Sequence, residues 1–139
     1  PEEEMAKLSK KLIAECIIPD LKPGVEAEIK QYKAAGYTII FATASFEIYF
    51  RYLAEYFNAD YFFGTKAELI GGKWKITGQN CKGQEKIRRI LEEIPEQEID
   101  KSNSVGFSDS MSDYPFTSLV SKFCLIDKKH WKTVKSFIQ

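Results

Sequence analysis

The fold of this chain is decided by the stretch Val105-Gly106-Phe107-Ser108-Asp109-Ser110-Met111-Ser112-Asp113. It begins as an apolar run and ends in small polar residues, which is the pattern of a buried parallel strand and the loop after it. Ligands collect at the carboxyl ends of such strands. Asp109 and Asp113 follow this strand, and carboxylates among serines are hard-oxygen ligands of the kind that Mg²⁺ prefers. Taken alone, a solvated loop with aspartate as turn former and helix N-cap remains the alternative interpretation.

The rest of the chain alternates between helical and strand patterns. Apolar spacing predicts helices over 3–16 and 25–36, a third with its apolar side running from Ile48 to Phe57, and a fourth that has Lys86 in its first turn and ends at Pro95. A further helix is predicted near Asp113, and a last one over 131–138. Ser45 is predicted as the N-cap of the third helix. Apolar runs predict strands over 37–42, 61–65, 105–108 and 123–127, and the Gly71-Gly72 turn predicts a β-hairpin over 69–76. This alternation predicts an α/β fold, a doubly wound parallel sheet with one β-hairpin insertion.

Charge and cysteine content exclude several classes of partner. Lys plus Arg and Asp plus Glu number 20 each among the 139 residues, so no net field attracts nucleic acid, and no nucleic-acid partner is expected. No apolar run approaches the roughly 18–20 residues of a membrane-spanning helix, so no membrane span is expected either. Cys16, Cys81 and Cys124 are odd in number and lie outside any C-x-x-C spacing. They indicate reduced, mostly buried thiols in a cytoplasmic protein.

Two further residues at element ends offer chemistry. Thr43 follows the strand over 37–42, where its hydroxyl and the next amides suit an anion. Lys86 falls in the first turn of a helix, where a cation opposes the helix dipole by about a few tenths of a kcal/mol, so a partner for its charge is expected. Taken singly, a strand-closing threonine and an exposed lysine are the commoner interpretations. With Asp109 and Asp113 they supply the hydroxyl, cation and carboxylates that phosphoryl transfer needs, and we expect all four to converge around one pocket.

In this arrangement the sequence resembles the haloacid dehalogenase-like (HAD) phosphatase superfamily, and within it the phosphoserine-phosphatase-like branch (subfamily IB type). The resemblance rests on four stretches that match family motifs or the segment leading into the core: Leu21-Lys22-Pro23-Gly24-Val25, Phe41-Ala42-Thr43-Ala44-Ser45, Gly83-Gln84-Glu85-Lys86 and Gly106-Phe107-Ser108-Asp109-Ser110-Met111-Ser112-Asp113. It implies a Rossmann-like core and a hydrolase that acts on a small phosphorylated substrate with Mg²⁺.

The resemblance also implies a role for each matching residue. Thr43 would hydrogen-bond the phosphoryl group, and the Ala44 amide would help it. Lys86 would neutralise the phosphoryl group and the nucleophile, which makes it both a phosphate-binding and a catalytic residue. Asp109 would bind Mg²⁺ directly or through water, and Asp113 would support the metal shell and Lys86. Lys86 and the cation together would keep both carboxylates ionised.

The first motif of the family does not occur in these residues. That motif is an apolar strand ending in Asp-x-Asp-x-Thr, whose first Asp forms an aspartyl-phosphate and whose second is the general acid/base. The apolar run before Asp127 is followed by Lys129 and Trp131, which do not fit it. We therefore expect the nucleophile to lie outside this chain, either clipped or supplied by an N-terminal fragment of the same protein that acts as a partner. In this truncated form the chain is expected to be inactive.

The missing motif also bears on domain organisation. The strand that carries it is central in the family's sheet, so the core is expected to lack its N-terminal central strand. Residues 1–18 are predicted to be a remnant of a helical cap, and residues 19–139 the HAD-like core domain. A second function remains open: a non-catalytic phosphate- or metal-binding module of the same fold, regulatory or structural. An upstream sequence that lacks the two Asp residues of the first motif would favour this alternative.

Overall fold

The computed structural model describes residues 2–22, 24–127 and 132–138. The chain packs as two compact units, Pro1–Cys81 and Lys82–Gln139. The described strands form three separate sheets, and two of these contain a parallel strand pair. The predicted mixed α/β fold with parallel strands is thus confirmed, whereas the lack of a central strand stays a prediction. No helix among the described residues is long and apolar enough to cross a membrane.

The described residues of the first unit contain three α-helices. They are α1 Glu2–Leu12, α2 Val25–Ala34 and α3 Glu47–Tyr56. The first helix continues beyond its predicted end through a π-helical turn, Ile13–Ile17, and a 3₁₀ turn, Ile18–Asp20. Pro19 lies inside that 3₁₀ turn, at a position where a missing N–H leaves no hydrogen bond unmade.

The core of this unit lies between its first and third helices. Ile13, Leu53 and Phe57 form a buried cluster. Partly buried apolar residues surround it, among them Phe41 and Tyr52. Tyr49, Phe50 and Tyr52 of α3 pack against this cluster, whereas Tyr56 is 43% exposed. That residues 1–18 are a cap remnant and 19–139 the core domain stays a prediction.

The strands of the first unit are a parallel pair and a hairpin. The pair is β1 Ile40–Phe46 with β2 Tyr61–Thr65, and the hairpin is β3 Ala67–Ile70 with β4 Lys73–Ile76. The hairpin prediction is confirmed, and Gly71 and Gly72 take the positive φ angles (58° and 76°) that its turn demands.

The first strand corrects the sequence prediction. It begins three residues later than predicted and runs on through Ser45 to Phe46. The N-cap of α3 is Phe46, without a side-chain cap, so the prediction of Ser45 in that role was wrong. Phe46 pairs with Thr65 of β2, so the strand extends past Ser45 and the helix starts after Phe46.

In the second unit, the strands that the structure describes form one three-stranded sheet in the order β5-β6-β7. The unit comprises α4 Gln84–Glu93, β5 Val105–Ser108, β6 Lys122–Asp127 and β7 Lys132–Ile138, with 3₁₀ turns at Glu96–Glu98, Lys101–Asn103 and Met111–Ser118. β5 and β6 are parallel, and β7 is antiparallel to β6. Phe123 and Cys124 on β6 are buried.

The end of the chain differs from the sequence prediction. Residues 132–138 form a strand, so the predicted helix over 131–138 was wrong; Trp131 lies outside the described residues. Hydrogen bonding along β6, from Lys122↔Ile138 to Asp127↔Lys132, outweighs the weak helical spacing of this segment.

Candidate active site

Lys86 and Asp113 form a buried ion pair in the second unit. Lys86 Nζ lies 2.8 Å from Asp113 Oδ1, and the two residues are 8% and 6% exposed. Lys86 is the third residue of α4, and Asp113 is the third of the Met111–Ser118 3₁₀ turn. A charge-assisted bond of this length is among the stronger hydrogen bonds in proteins. Asp113 is therefore the partner that we expected for the charge of Lys86, a cation in the first turn of a helix.

Glu85, the sequence neighbour of Lys86, bonds to a different cation. Its Oε2 accepts from Arg88 Nε at 2.9 Å. Hydrogen bonding to the Arg88 guanidinium holds the pKa of Glu85 below its usual range. Glu85 therefore stays ionised and is engaged by Arg88.

The second oxygen of Asp113 is bonded to Ser108. The Ser108 hydroxyl donates to Asp113 Oδ2 and accepts from the Ser110 N–H at 3.1 Å. Ser110 Oγ in turn accepts from the Ser112 N–H at 3.2 Å and caps the 3₁₀ turn. Both carboxylate oxygens of Asp113 are therefore fixed, one by an ammonium and one by a hydroxyl. Sequence reasoning missed this bond of Ser108, because a separation of five residues across an irregular loop follows no helix or strand period.

Asp109 occupies a different environment from Asp113. It is exposed in the loop directly after β5. The described residues contain no group of three or more His, Cys, Asp or Glu side chains that would hold a metal by themselves. Mg²⁺ keeps several waters and uses one or two protein carboxylates beside substrate oxygens. An exposed carboxylate such as Asp109 fits such a site, and the part of Asp113 in the metal shell stays a prediction.

Thr43 and Ala44 lie in an irregular part of β1 in the first unit. The ladder pairs Ala42 with Phe63 and then Phe46 with Thr65, so three residues of β1 stand opposite one of β2. Such an excess forms a β-bulge, a feature common next to active sites. We call residues 43–45 the bulge. Within it Thr43 Oγ1 accepts from the Ser45 N–H at 3.0 Å, and the hydroxyl keeps its own proton for donation.

A glycine on β2 makes room for the bulge. A Cβ at Gly64 would lie 2.9 Å from Glu47 Cγ and 3.0 Å from the Ser45 carbonyl oxygen. The Gly64 N–H donates to Glu47 Oε1 at 3.3 Å. The chain at Ser45 and Glu47 therefore approaches β2 more closely than any other residue type at position 64 would allow.

The predicted site residues are thus divided between the two units. Thr43 and Ala44 belong to the first unit, and Lys86, Asp109 and Asp113 belong to the second. Lys86 and Asp113 are brought into direct contact, and Asp109 lies in the same loop as Asp113. The convergence of all of them around one pocket stays a prediction.

Comparison with known proteins identifies the family. A sequence model of the haloacid dehalogenase-like hydrolases matches residues 1–118. The chain belongs to this family of haloacid dehalogenase-like hydrolases, which confirms the resemblance drawn from its motifs. A search of curated protein sequences finds no match.

Two solved structures share the fold. One is a protein of unknown function from Bordetella pertussis Tohama I, with a TM-score of 0.76 and 20% identity; the match covers 89% of this chain and 58% of that one. The other is a probable phosphoserine phosphatase from Vibrio cholerae in unliganded form, with a TM-score of 0.70 and 18% identity, covering 96% of this chain and 43% of that one. The chain therefore spans about half the length of these similar structures.

Proposed function

We propose that the protein carrying these residues is a Mg²⁺-dependent phosphomonoester hydrolase that acts through an aspartyl-phosphate. The observation that carries this proposal is the buried pair of Lys86 and Asp113, fixed further by Ser108. Burying an ion pair costs several kcal/mol of desolvation per ion and gives little net stability. A buried lysine beside an acidic loop at a strand's carboxyl end is better explained by a need to stabilise negative charge.

Each residue of the site has a part in this proposal. Lys86 offsets the negative charge of the phosphoryl group, and Asp113 holds its ammonium in place. The Thr43 hydroxyl and the Ala44 amide donate hydrogen bonds to phosphoryl oxygens. Asp109 would hold Mg²⁺. When bound, the cation would neutralise part of the charge on the phosphoryl oxygens.

The nucleophile is proposed to come from a segment outside these 139 residues, because no Asp-x-Asp-x-Thr sequence occurs among them. An oxygen of its carboxylate attacks phosphorus, and the bond to the ester oxygen breaks as the second Asp of the motif donates a proton to the leaving alcohol. Water, which gives a proton back to that second Asp, then attacks phosphorus, so that inorganic phosphate is freed and the nucleophile's carboxylate is restored. The substrate is proposed to be a small phosphorylated molecule, and residues 1–139 alone are proposed to be inactive. A cytoplasmic location, and an N-terminal fragment of the same protein as partner, stay predictions.

The test compares hydrolysis of p-nitrophenyl phosphate by the full-length protein and by residues 1–139. We expect Mg²⁺-dependent turnover only where an Asp-x-Asp-x-Thr segment is present. Lys86→Met and Asp109→Ala should each lower kcat by about 10²–10³-fold, as the loss of one charge-stabilising group does. Lys30→Met, at an exposed lysine in the first unit, is the control and should retain full activity.

Two outcomes would contradict the proposal in different ways. Equal activity in residues 1–139 and the full-length protein, surviving Asp109→Ala, would rule out the mechanism. Binding of Mg²⁺ and phosphate without turnover, although the acid pair is present, would instead favour the non-catalytic binding module.

A further inference from the structure

Thr65 is a deeply buried polar side chain with three hydrogen-bond partners in two parts of the first unit. It is the last residue of β2 and is 1% exposed. Its Oγ1 lies 2.7 Å from the Ala44 carbonyl oxygen and 2.9 Å from Asn80 Oδ1, and it accepts from the Cys81 N–H at 3.1 Å. A hydroxyl carries a single proton, and the Ala44 carbonyl is the nearer of its two acceptors.

Packing alone does not explain a hydroxyl at this position. A valine fills the same volume without a polar atom, and a buried hydroxyl is unfavourable unless it is hydrogen-bonded. The bulge accounts for it: residues 43–45 leave the ladder with β2, so the Ala44 carbonyl lacks a strand partner there and Thr65 supplies one. Thr65 thus bonds to the part of β1 that holds the proposed phosphate-binding groups.

The hydrogen bond from Thr65 affects Thr43 through the peptide group between Ala44 and Ser45. The Ala44 carbonyl and the Ser45 N–H belong to the same planar unit and point in opposite directions. Thr65 holds the carbonyl side of this plane, and the N–H side donates to Thr43 Oγ1 at 3.0 Å. Fixing the plane therefore fixes which lone pair of the Thr43 hydroxyl is used and where its proton can point.

We propose that Thr65 is a positioning residue that orients the Thr43 hydroxyl and the bulge amides for a phosphoryl group through the Ala44–Ser45 peptide. This inference rests on the proposed function. The same hydroxyl also holds the Cys81 N–H, five residues before Lys86 in the chain. One side chain therefore restrains the bulge and the last residue of the first unit, Cys81.

The test uses the full-length protein and three substitutions. Thr65→Val keeps the volume and removes the hydroxyl, Thr65→Ser keeps the hydroxyl, and Thr77→Val is a control at a half-buried threonine of the same unit. Thr65→Ala repeats the test if valine prevents folding. The readouts are KM for aryl phosphate, inhibition by inorganic phosphate, and hydrogen exchange of the Ser45 amide by NMR.

We expect Thr65→Val to weaken phosphate inhibition and raise KM by roughly tenfold, the worth of one lost hydrogen bond. Exchange of the Ser45 amide should quicken by a similar factor. Thr65→Ser should restore both readouts, and Thr77→Val should change neither. An active Thr65→Val protein with unchanged inhibition and exchange would overturn the role of Thr65, even if its Tm fell. A parent protein that neither hydrolyses aryl phosphate nor binds phosphate would instead overturn the proposed function, and with it this role.

Discussion

At the scale of single residues, the carboxylate of Asp113 is the most constrained group of the candidate site. One oxygen accepts from an ammonium and the other from a hydroxyl, in surroundings that leave 6% of the residue exposed. Low exposure strengthens each bond and raises the cost of losing either partner. The same contact fixes the position of the Lys86 ammonium, because the folded chain holds the Asp113 carboxylate beside it.

Breaking this pair should destabilise the fold strongly. Lys86→Met leaves the Asp113 carboxylate buried without its cation, and Asp113→Ala leaves the ammonium buried without its anion. Each should lower the free energy of unfolding by about 3–5 kcal/mol, and the double substitution should cost less than the sum of the two. Urea unfolding followed by far-UV circular dichroism measures all three.

An exposed pair provides the control for that experiment. Lys30 Nζ and Glu26 Oε1 lie 3.4 Å apart, with side chains 73% and 43% exposed. Lys30→Met should change the free energy of unfolding by less than about 1 kcal/mol. Equal effects at the two pairs would mean that the Lys86–Asp113 contact is solvated in solution.

At the scale of elements, the bulge in β1 depends on the absence of a side chain on β2. Gly64→Ala would place a Cβ 3.0 Å from the Ser45 carbonyl oxygen and 3.3 Å from the Glu47 amide nitrogen, both backbone atoms that cannot rotate away. We expect a loss of about 1–3 kcal/mol in the free energy of unfolding, as overpacking typically costs. The same urea titration measures it.

Gly106→Ala is the matched comparison on β5. A Cβ there would meet the Phe123 ring at 3.4 Å, a contact with side-chain atoms that can shift slightly. Its cost should be clearly smaller than that of Gly64→Ala. Equal costs would show that β2 and the bulge separate easily, and that Gly64 is not required by their approach.

Elements with a strong local signal could be predicted from the sequence, and those set by pairing could not. The hairpin has its own turn residues, Gly71 and Gly72, and β2 is a short aromatic run, so both were found at nearly their observed bounds. Residues 132–138 become a strand only because the edge of β6 is available to them. The bulge likewise exists only in register against β2, which a single strand's sequence does not encode.

At the scale of the whole molecule, the sequence predicted which residues belong to the candidate site better than it predicted the hydrogen bonds between them. The contact between Lys86 and Asp113 followed from the family resemblance and is present. The bonds of Ser108 and Thr65 were not foreseen, because each joins residues with no fixed spacing along the chain. Such bonds depend on the path of loops, which tertiary packing determines.

The three cysteines allow the two units to be followed separately. Cys16 is exposed, Cys81 in the first unit is 0% exposed, and Cys124 in the second is 3% exposed. In native buffer we expect a thiol reagent to modify Cys16 rapidly. The other two should react at least about 10³-fold more slowly, as an opening free energy near 5 kcal/mol implies. Cys16→Ser should abolish the rapid phase, and mass spectrometry of labelled peptides at rising urea should then show when each unit opens. Rapid labelling of Cys81 in native buffer would contradict the tight packing around Thr65, because the amide of Cys81 bonds directly to that hydroxyl.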